Sequence, residues 1–246
     1  MVLATVLGGC ASSPDLVNSL HPRPVSVTWD RAAPGSFFFP LAWEEAAEPE
    51  PLSRSQQKLI ALSFDDFPFP QGTPKLLEVL ATEKVRVTFF TIGRKLEKHP
   101  EFAAQALYHG HALENHTYDH VRLTTRPLGE VRADLRRCNV VIRDLTGVAP
   151  HYLRSPGGRS TPAIRREAAA CGLLCVDPLV ANIGDMNKSS ATITQRCQNR
   201  ARDGVIFSLH DGVPATMAAL PKVIHTLRGQ GYEFVTVHEL LQAEGS

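Results

Sequence analysis

The chain lacks any run of 18 or more apolar residues, so no stretch of it is expected to span a bilayer as a helix. It also lacks net charge, since 26 basic and 25 acidic side chains leave +1. That excludes the strong positive field of phosphate-binding proteins and makes nucleic acid an unexpected partner. No internal repeat and no low-complexity tract is present. With 43% apolar and 21% charged residues, disorder and collagen-like structure are excluded as well. What remains is a chain of 246 residues with ample material for one buried core. Residue 55 divides it unevenly: the first part holds 3 basic and 6 acidic residues and 7 of the 18 prolines, the remainder 23 basic and 19 acidic.

The first ten residues form a short apolar stretch that ends Leu7-Gly8-Gly9-Cys10 before a polar tail. This resembles the lipobox of bacterial lipoprotein signals, in which the cysteine thiol takes a lipid anchor. No basic n-region precedes it, so either the start codon is set too far downstream or the feature is accidental. Pro22, Pro24, Pro34, Pro40, Pro49 and Pro51 then interrupt any long helix. Residues 1–55 are expected to be a lipoprotein-like leader and proline-rich tether, or an arm that covers one end of the domain, and residues 56–246 a single catalytic domain. The expected address is the bacterial cell envelope or periplasm, with membrane contact only through a lipid on Cys10.

From Lys58 onward short apolar segments alternate with amphipathic ones, the pattern of an α/β protein with parallel strands. Strands are expected at Leu59–Phe64, Arg86–Ile92, Ala112–Asn115, Tyr152–Arg154, Leu173–Asp177, Val205–His210 and Phe234–Val237. One helix carries a stripe of Leu128, Val131, Leu135, Cys138, Ile142 and Leu145, another Met217, Leu220, Ile224 and Leu227. About seven such units fit a distorted (β/α) barrel, closed or nearly so, with chemistry at the C-terminal ends of its strands.

Ionisable residues cluster at those ends. Asp65-Asp66 follow the first strand, His116 and His120 the third, Arg154 ends the fourth and His210-Asp211 the sixth. Two histidines four apart on a helical turn face the same way and can share a metal. A carboxylate from the Asp65-Asp66 pair would complete a His-His-carboxylate site with an open position for water. His109, His111, His151, His225 and His238 have no such context and are expected to be structural.

Five ordered segments between residues 58 and 240 resemble the polysaccharide deacetylases of carbohydrate esterase family 4, the nodulation-factor deacetylase homology domain. They are Ser63-Phe64-Asp65-Asp66-Phe67-Pro68, Val87-Thr88-Phe89-Phe90-Thr91-Ile92-Gly93, Gly110 to His120, Arg154-Ser155-Pro156-Gly157-Gly158, and Ser208-Leu209-His210-Asp211. The resemblance implies a metal-dependent hydrolase that removes N-acetyl groups from a glycan such as peptidoglycan, a chitin-like polymer or poly-N-acetylglucosamine. It implies Asp66, His116 and His120 as ligands of one divalent ion, zinc with cobalt, manganese or nickel as alternatives. Asp65 would be the general base, held by Arg154, and His210 the general acid. A backbone N–H in the Ser155–Gly157 turn, with Pro156 between, would hold the oxyanion. The aspartate that orients His210 would be Asp185, with Asp177 as second choice.

Departures from the family pattern point to an altered pocket. Gly157 replaces an aromatic of the sugar groove, Phe67 adds bulk beside the aspartates, and Ser208 replaces a leucine of the acyl pocket. Ser208 shares a strand face with His210, which places a hydroxyl near the acid. These changes keep two other readings open, a deformylase, O-acetyl esterase or cyclic amidase on the same fold and a glycan-binding pseudoenzyme blocked by Phe67; a further reading takes the His-His-carboxylate set as a non-haem iron site that makes no use of Asp65, Arg154 or His210. Cys138, Cys171 and Cys197 fall on apolar stripes and Cys175 within a strand, so buried thiols are expected, with one or two disulfides possible in an oxidising compartment. The protein is expected to be a monomer.

Overall fold

The computed structural model describes residues 57–177 and 180–245. The expected leader, Cys10 and tether lie outside the described residues.

Eight strands form one parallel sheet. They are β1 (Lys58–Phe67), β2 (Thr88–Thr91), β3 (Ala112–Asn115), β4 (Tyr152–Leu153), β5 (Leu174–Cys175), β6 (Val180–Asn182), β7 (Val205–His210) and β8 (Tyr232–Val235). Their order is β5-β4-β3-β2-β1-β7-β6, with β8 beside the first half of β1. Between them run α1 (Thr73–Glu83), α2 (Gly93–Lys98), α3 (Glu101–Tyr108), α4 (Leu128–Thr146), α5 (Pro162–Ala169), α6 (Ser190–Arg200) and α7 (Pro214–Gly229), and α8 (Val237–Gly245) follows β8. The sheet curls into a half-barrel. Among the described residues no ladder joins β5 to β6, so the sheet is the expected distorted (β/α) barrel, open between these two strands.

β1 is central and buried on both faces, as strands of parallel sheets are. Ile60, Leu62 and Phe64 pack on one side with Phe89, Phe207 and residues of α1 and α7. Leu59 and Ala61 pack on the other with Phe90, Ile206, Val235 and Leu240 of α8. Each fully buried side chain of this size is worth about 1.5–3 kcal/mol, which is why β1 reads as a continuous apolar run. In α4, Val131, Leu135, Cys138 and Ile142 are buried, whereas Leu128 and Leu145 at the ends of the expected stripe are exposed.

Strand ends shift by a few residues from expectation, and two departures have identifiable reasons. β8 stops at Val235 because Thr236 and Glu239 form a reciprocal capping box, Thr236 N donating to Glu239 Oε2 (2.8 Å) and Glu239 N to Thr236 Oγ1 (3.3 Å), which starts α8. β6 was not expected at all. Its three partly exposed residues carry no alternation, and it exists through its ladder with Ile206, Phe207 and Ser208 of β7.

Phe67 corrects the idea of a blocking side chain. It is fully buried and stacks on Phe89 at 4.3 Å between ring centroids, so it belongs to the core and not to the cleft. Cys138, Cys171, Cys175 and Cys197 are all free thiols. No helix among the described residues is long and apolar enough to cross a membrane.

Candidate active site

The C-terminal strand ends converge on a cleft of about 390 Å³ lined by Asp65, Asp66, His116, His120, Arg154, Ser208 and His210, with Gly157, Gly158, Asp177, Val180 and Asn182 at its sides. Consecutive strand residues point to opposite faces, yet Asp65 and Asp66 both reach this cleft. The backbone explains it: Asp66 has φ +68°, in the left-handed region, and the β1–β2 register shifts between Phe64 and Phe67. Lys95 of α2 clamps the irregular turn by donating from Nζ to the Asp66 carbonyl (2.8 Å). Nothing in the sequence marks Lys95 for this contact.

His116 and His120 also come together by a route other than the expected helical turn. Residues 116–120 form a loop with positive φ at Thr117 and His120. Side chains supply the hydrogen bonds a helix would have made. Asn115 Oδ1 accepts from Thr117 N, the Asp134 carboxylate from Tyr118 N and Asp119 N, and Thr117 Oγ1 from His120 N.

The result is a compact donor set. Nε2 of His120 lies 3.0 Å and Nε2 of His116 3.7 Å from Asp66 Oδ1, and the three ligand atoms lie within 4.8 Å of one another. Asp66 Oδ1 is buried and receives no hydrogen bond of good geometry. His116 donates from Nδ1 to the Arg154 carbonyl (2.7 Å), which fixes the ring and leaves Nε2 as a lone-pair donor facing Asp66. Burial, joined by the charge of His120, depresses the basicity of His116 against the pull of Asp65 and Asp66, and so favours the neutral ring. Burial acts to raise the pKa of Asp66, but the adjoining His120 and the charges of His116 and His210 outweigh it and bring the pKa down to about 2. An orphaned carboxylate oxygen and two imidazole nitrogens around one point fit a divalent metal ion.

Beside this set lies a second carboxylate with different partners. Asp65 Oδ1 accepts from the Arg154 guanidinium (2.7 Å) and Oδ2 from Ser208 Oγ (3.1 Å). Ser208 shares the cleft with His210, as expected, and its hydroxyl donates to Asp65. Arg154 is itself buried, and its guanidinium lies over the Phe90 ring at 3.9 Å.

Across the cleft, His210 Nδ1 is 2.7 Å from Oδ1 of Asp185, which is fully buried. Asp185 Oδ2 accepts from His210 N and from Thr216 Oγ1 at the start of α7. Burial disfavours the His210 cation, but the Asp185 hydrogen bond and the charges of Asp65, Asp185 and Asp66 more than compensate and raise its pKa. Asp177 is engaged elsewhere, accepting from Ser155 N (2.8 Å) and from Ser160 Oγ.

The turn after β4 sorts the expected oxyanion donors. Ser155 N is taken by Asp177, Pro156 has no N–H, and Gly158 N donates to Ser155 O (2.8 Å). The Gly157 N–H makes no hydrogen bond among the described residues, and Gly157 lines the cleft. Its φ of +78° explains the glycine. None of His109, His111, His151, His225 and His238 lines the cleft.

Comparison with known proteins places the chain in a family. The polysaccharide deacetylase family matches residues 53–176. A peptidoglycan-N-acetylglucosamine deacetylase of Listeria monocytogenes is 32% identical over 78% of this chain and 41% of its own, so the chain spans about two fifths of that relative's length. One of the same description from Bacillus cereus is 32% identical over 76% of this chain and 90% of its own. The structure of a peptidoglycan deacetylase from Bacillus subtilis superimposes with a TM-score of 0.70 at 29% identity, covering 77% of this chain and 92% of that one. By its five ordered motifs, its half-barrel and these matches, the chain belongs to the polysaccharide deacetylase family.

Proposed function

We propose that the protein hydrolyses the N-acetyl amide of an N-acetylated glycan, with peptidoglycan as the first polymer to test because the relatives above carry that name. The observation that carries this reading is the presence, in one cleft, of a metal-type donor set, a separate carboxylate with its own arginine, and a carboxylate-paired histidine. Asp66, His116 and His120 would hold the ion, zinc in this reading, with cobalt, manganese or nickel able to replace it. Such an ion polarises a carbonyl and lowers the pKa of water from about 15.7 toward about 7.

The protein's own groups divide the remaining work. Asp65 takes a proton from the attacking water, its oxygens oriented by Arg154 and Ser208. The Gly157 N–H is free to hydrogen-bond the oxygen that gains charge in the tetrahedral state. His210 gives a proton from Nε2 to the departing nitrogen, while Asp185 fixes the ring through Nδ1 and favours its cation. The core position of Phe67 leaves the cleft clear and speaks against a blocked pseudoenzyme. The test is acetate release from peptidoglycan and N-acetylglucosamine oligomers by metal-reconstituted protein. Acetate in step with new free amines is expected, and a protein that binds metal but releases none overturns the proposal.

The pH dependence checks the acid. His210 must carry its proton to act, so the rate falls as pH rises through the raised His210 pKa. In Asp185→Asn the amide oxygen still accepts from Nδ1, but the charge that favours the cation is gone. The alkaline limb of the kcat profile should then move to lower pH. The unmet His210 N–H also lowers stability, so the limb position and not the rate is diagnostic. An unmoved limb would assign the proton donation to another group.

A further inference from the structure

We propose that Arg122 reads a carboxylate on the substrate, so that the preferred glycan is an acidic one bearing its carboxylate close to the scissile N-acyl group. This rests on the deacetylase reading above for where the sugar lies. Arg122 follows His120 by two residues and is exposed. A β-carbon built on Gly157 would lie 3.7 Å from Arg122 Nε, so the guanidinium stem lies against the bare glycine turn at the side of the cleft. Among the described residues Arg122 makes no ion pair, and neither does Arg159, one residue beyond Gly158, whereas Arg126, Arg132 and Arg143 are paired with Glu130, Glu167 and Asp144.

The surroundings strengthen the case. Residues 122–167 contain ten arginines, no lysine and four acidic residues, although the whole chain is only +1. Arginine, unlike lysine, offers a planar fork that matches a carboxylate with two hydrogen bonds. An unpaired, exposed arginine against the glycine turn that lines the cleft has the chemistry of a recognition residue.

The probes are the disaccharide of N-acetylglucosamine and N-acetylmuramic acid and its methyl ester, which differ in one negative charge. Wild-type enzyme should show a higher kcat/KM on the acid. In Arg122→Ala the ratio of acid to ester should fall about five- to tenfold, carried by KM and not kcat, with Arg122→Lys intermediate. Raising the salt concentration should shrink the wild-type ratio and leave that of Arg122→Ala nearly flat. An equal ratio in wild type and Arg122→Ala, or a change in kcat alone, overturns the inference. Binding of the deacetylated forms of both probes, which cannot turn over, is measured in parallel. A charge preference in binding that disappears in Arg122→Ala supports the recognition role even where no acetate is released, so the two proposals fail separately.

Discussion

Replacing Asp65 with Asn will cut acetate release by about 10²- to 10⁴-fold, the usual contribution of a positioned general base, and will also destabilise the fold. The second effect comes from Arg154. Its side chain is 3% exposed, its Nε and second terminal nitrogen have no hydrogen-bond partner, and Asp65 is the carboxylate it is paired with. Asparagine keeps the shape of aspartate but leaves a buried cation uncompensated. Breaking such a pair costs about 3–5 kcal/mol, or roughly 10 °C in a domain of this size. The double variant Asp65→Asn/Arg154→Met separates the two roles, because it removes the stranded charge while leaving the base absent. It should regain most of the melting temperature and none of the activity. If Asp65→Asn released acetate at the wild-type rate, Asp65 would not be the base.

His116→Ala should abolish metal binding. The wild-type protein is expected to take up one divalent ion per chain, and the variant to bind it at least about 100-fold more weakly. The loss has two parts. One nitrogen of three protein donors disappears, and the Arg154 carbonyl loses the N–H that now fixes the loop against β4. Thermal unfolding gives a readout independent of turnover. A ligand at 100 times its Kd stabilises by about 2.7 kcal/mol, so zinc should raise the melting temperature of wild type by several degrees and leave His116→Ala unmoved. Equal metal content in both proteins would remove His116 from the ligand set.

The sequence made the central features legible because each has a local signature. The two-sided apolar run of β1 announces a buried parallel strand, and Asp65-Asp66 at its end marks the active face. The spacing of His116 and His120 indicated a shared ligand but not the geometry that delivers it. A loop held by Asn115, Thr117 and Asp134 does what a helical turn was expected to do, and side-chain to backbone bonds of that kind leave no periodic trace. Asp185 is named first through the family resemblance alone, because the strand β6 that precedes it is specified by its neighbour and not by its own three residues. Lys95 and Thr216 were illegible for the same reason, since each meets its partner only after distant elements pack. The expectation that Phe67 adds bulk beside the aspartates rests on a departure from the family pattern, and the left-handed backbone at Asp66 precedes a side chain that packs in the core instead.

The place of β1 in the sheet bears on how the molecule assembles. It is the first strand among the described residues, yet its first half pairs with residues 232–235 and its middle with residues 205–210. Pairings that span nearly the whole domain make folding slow, because the closure entropy of the chain must be met before they contribute. During synthesis the most apolar strand therefore emerges long before its partners on one side exist. Until Val235 leaves the ribosome, one edge of Lys58–Ala61 has no native ladder, so a chain truncated before β8 would expose part of a two-sided apolar strand to aggregation.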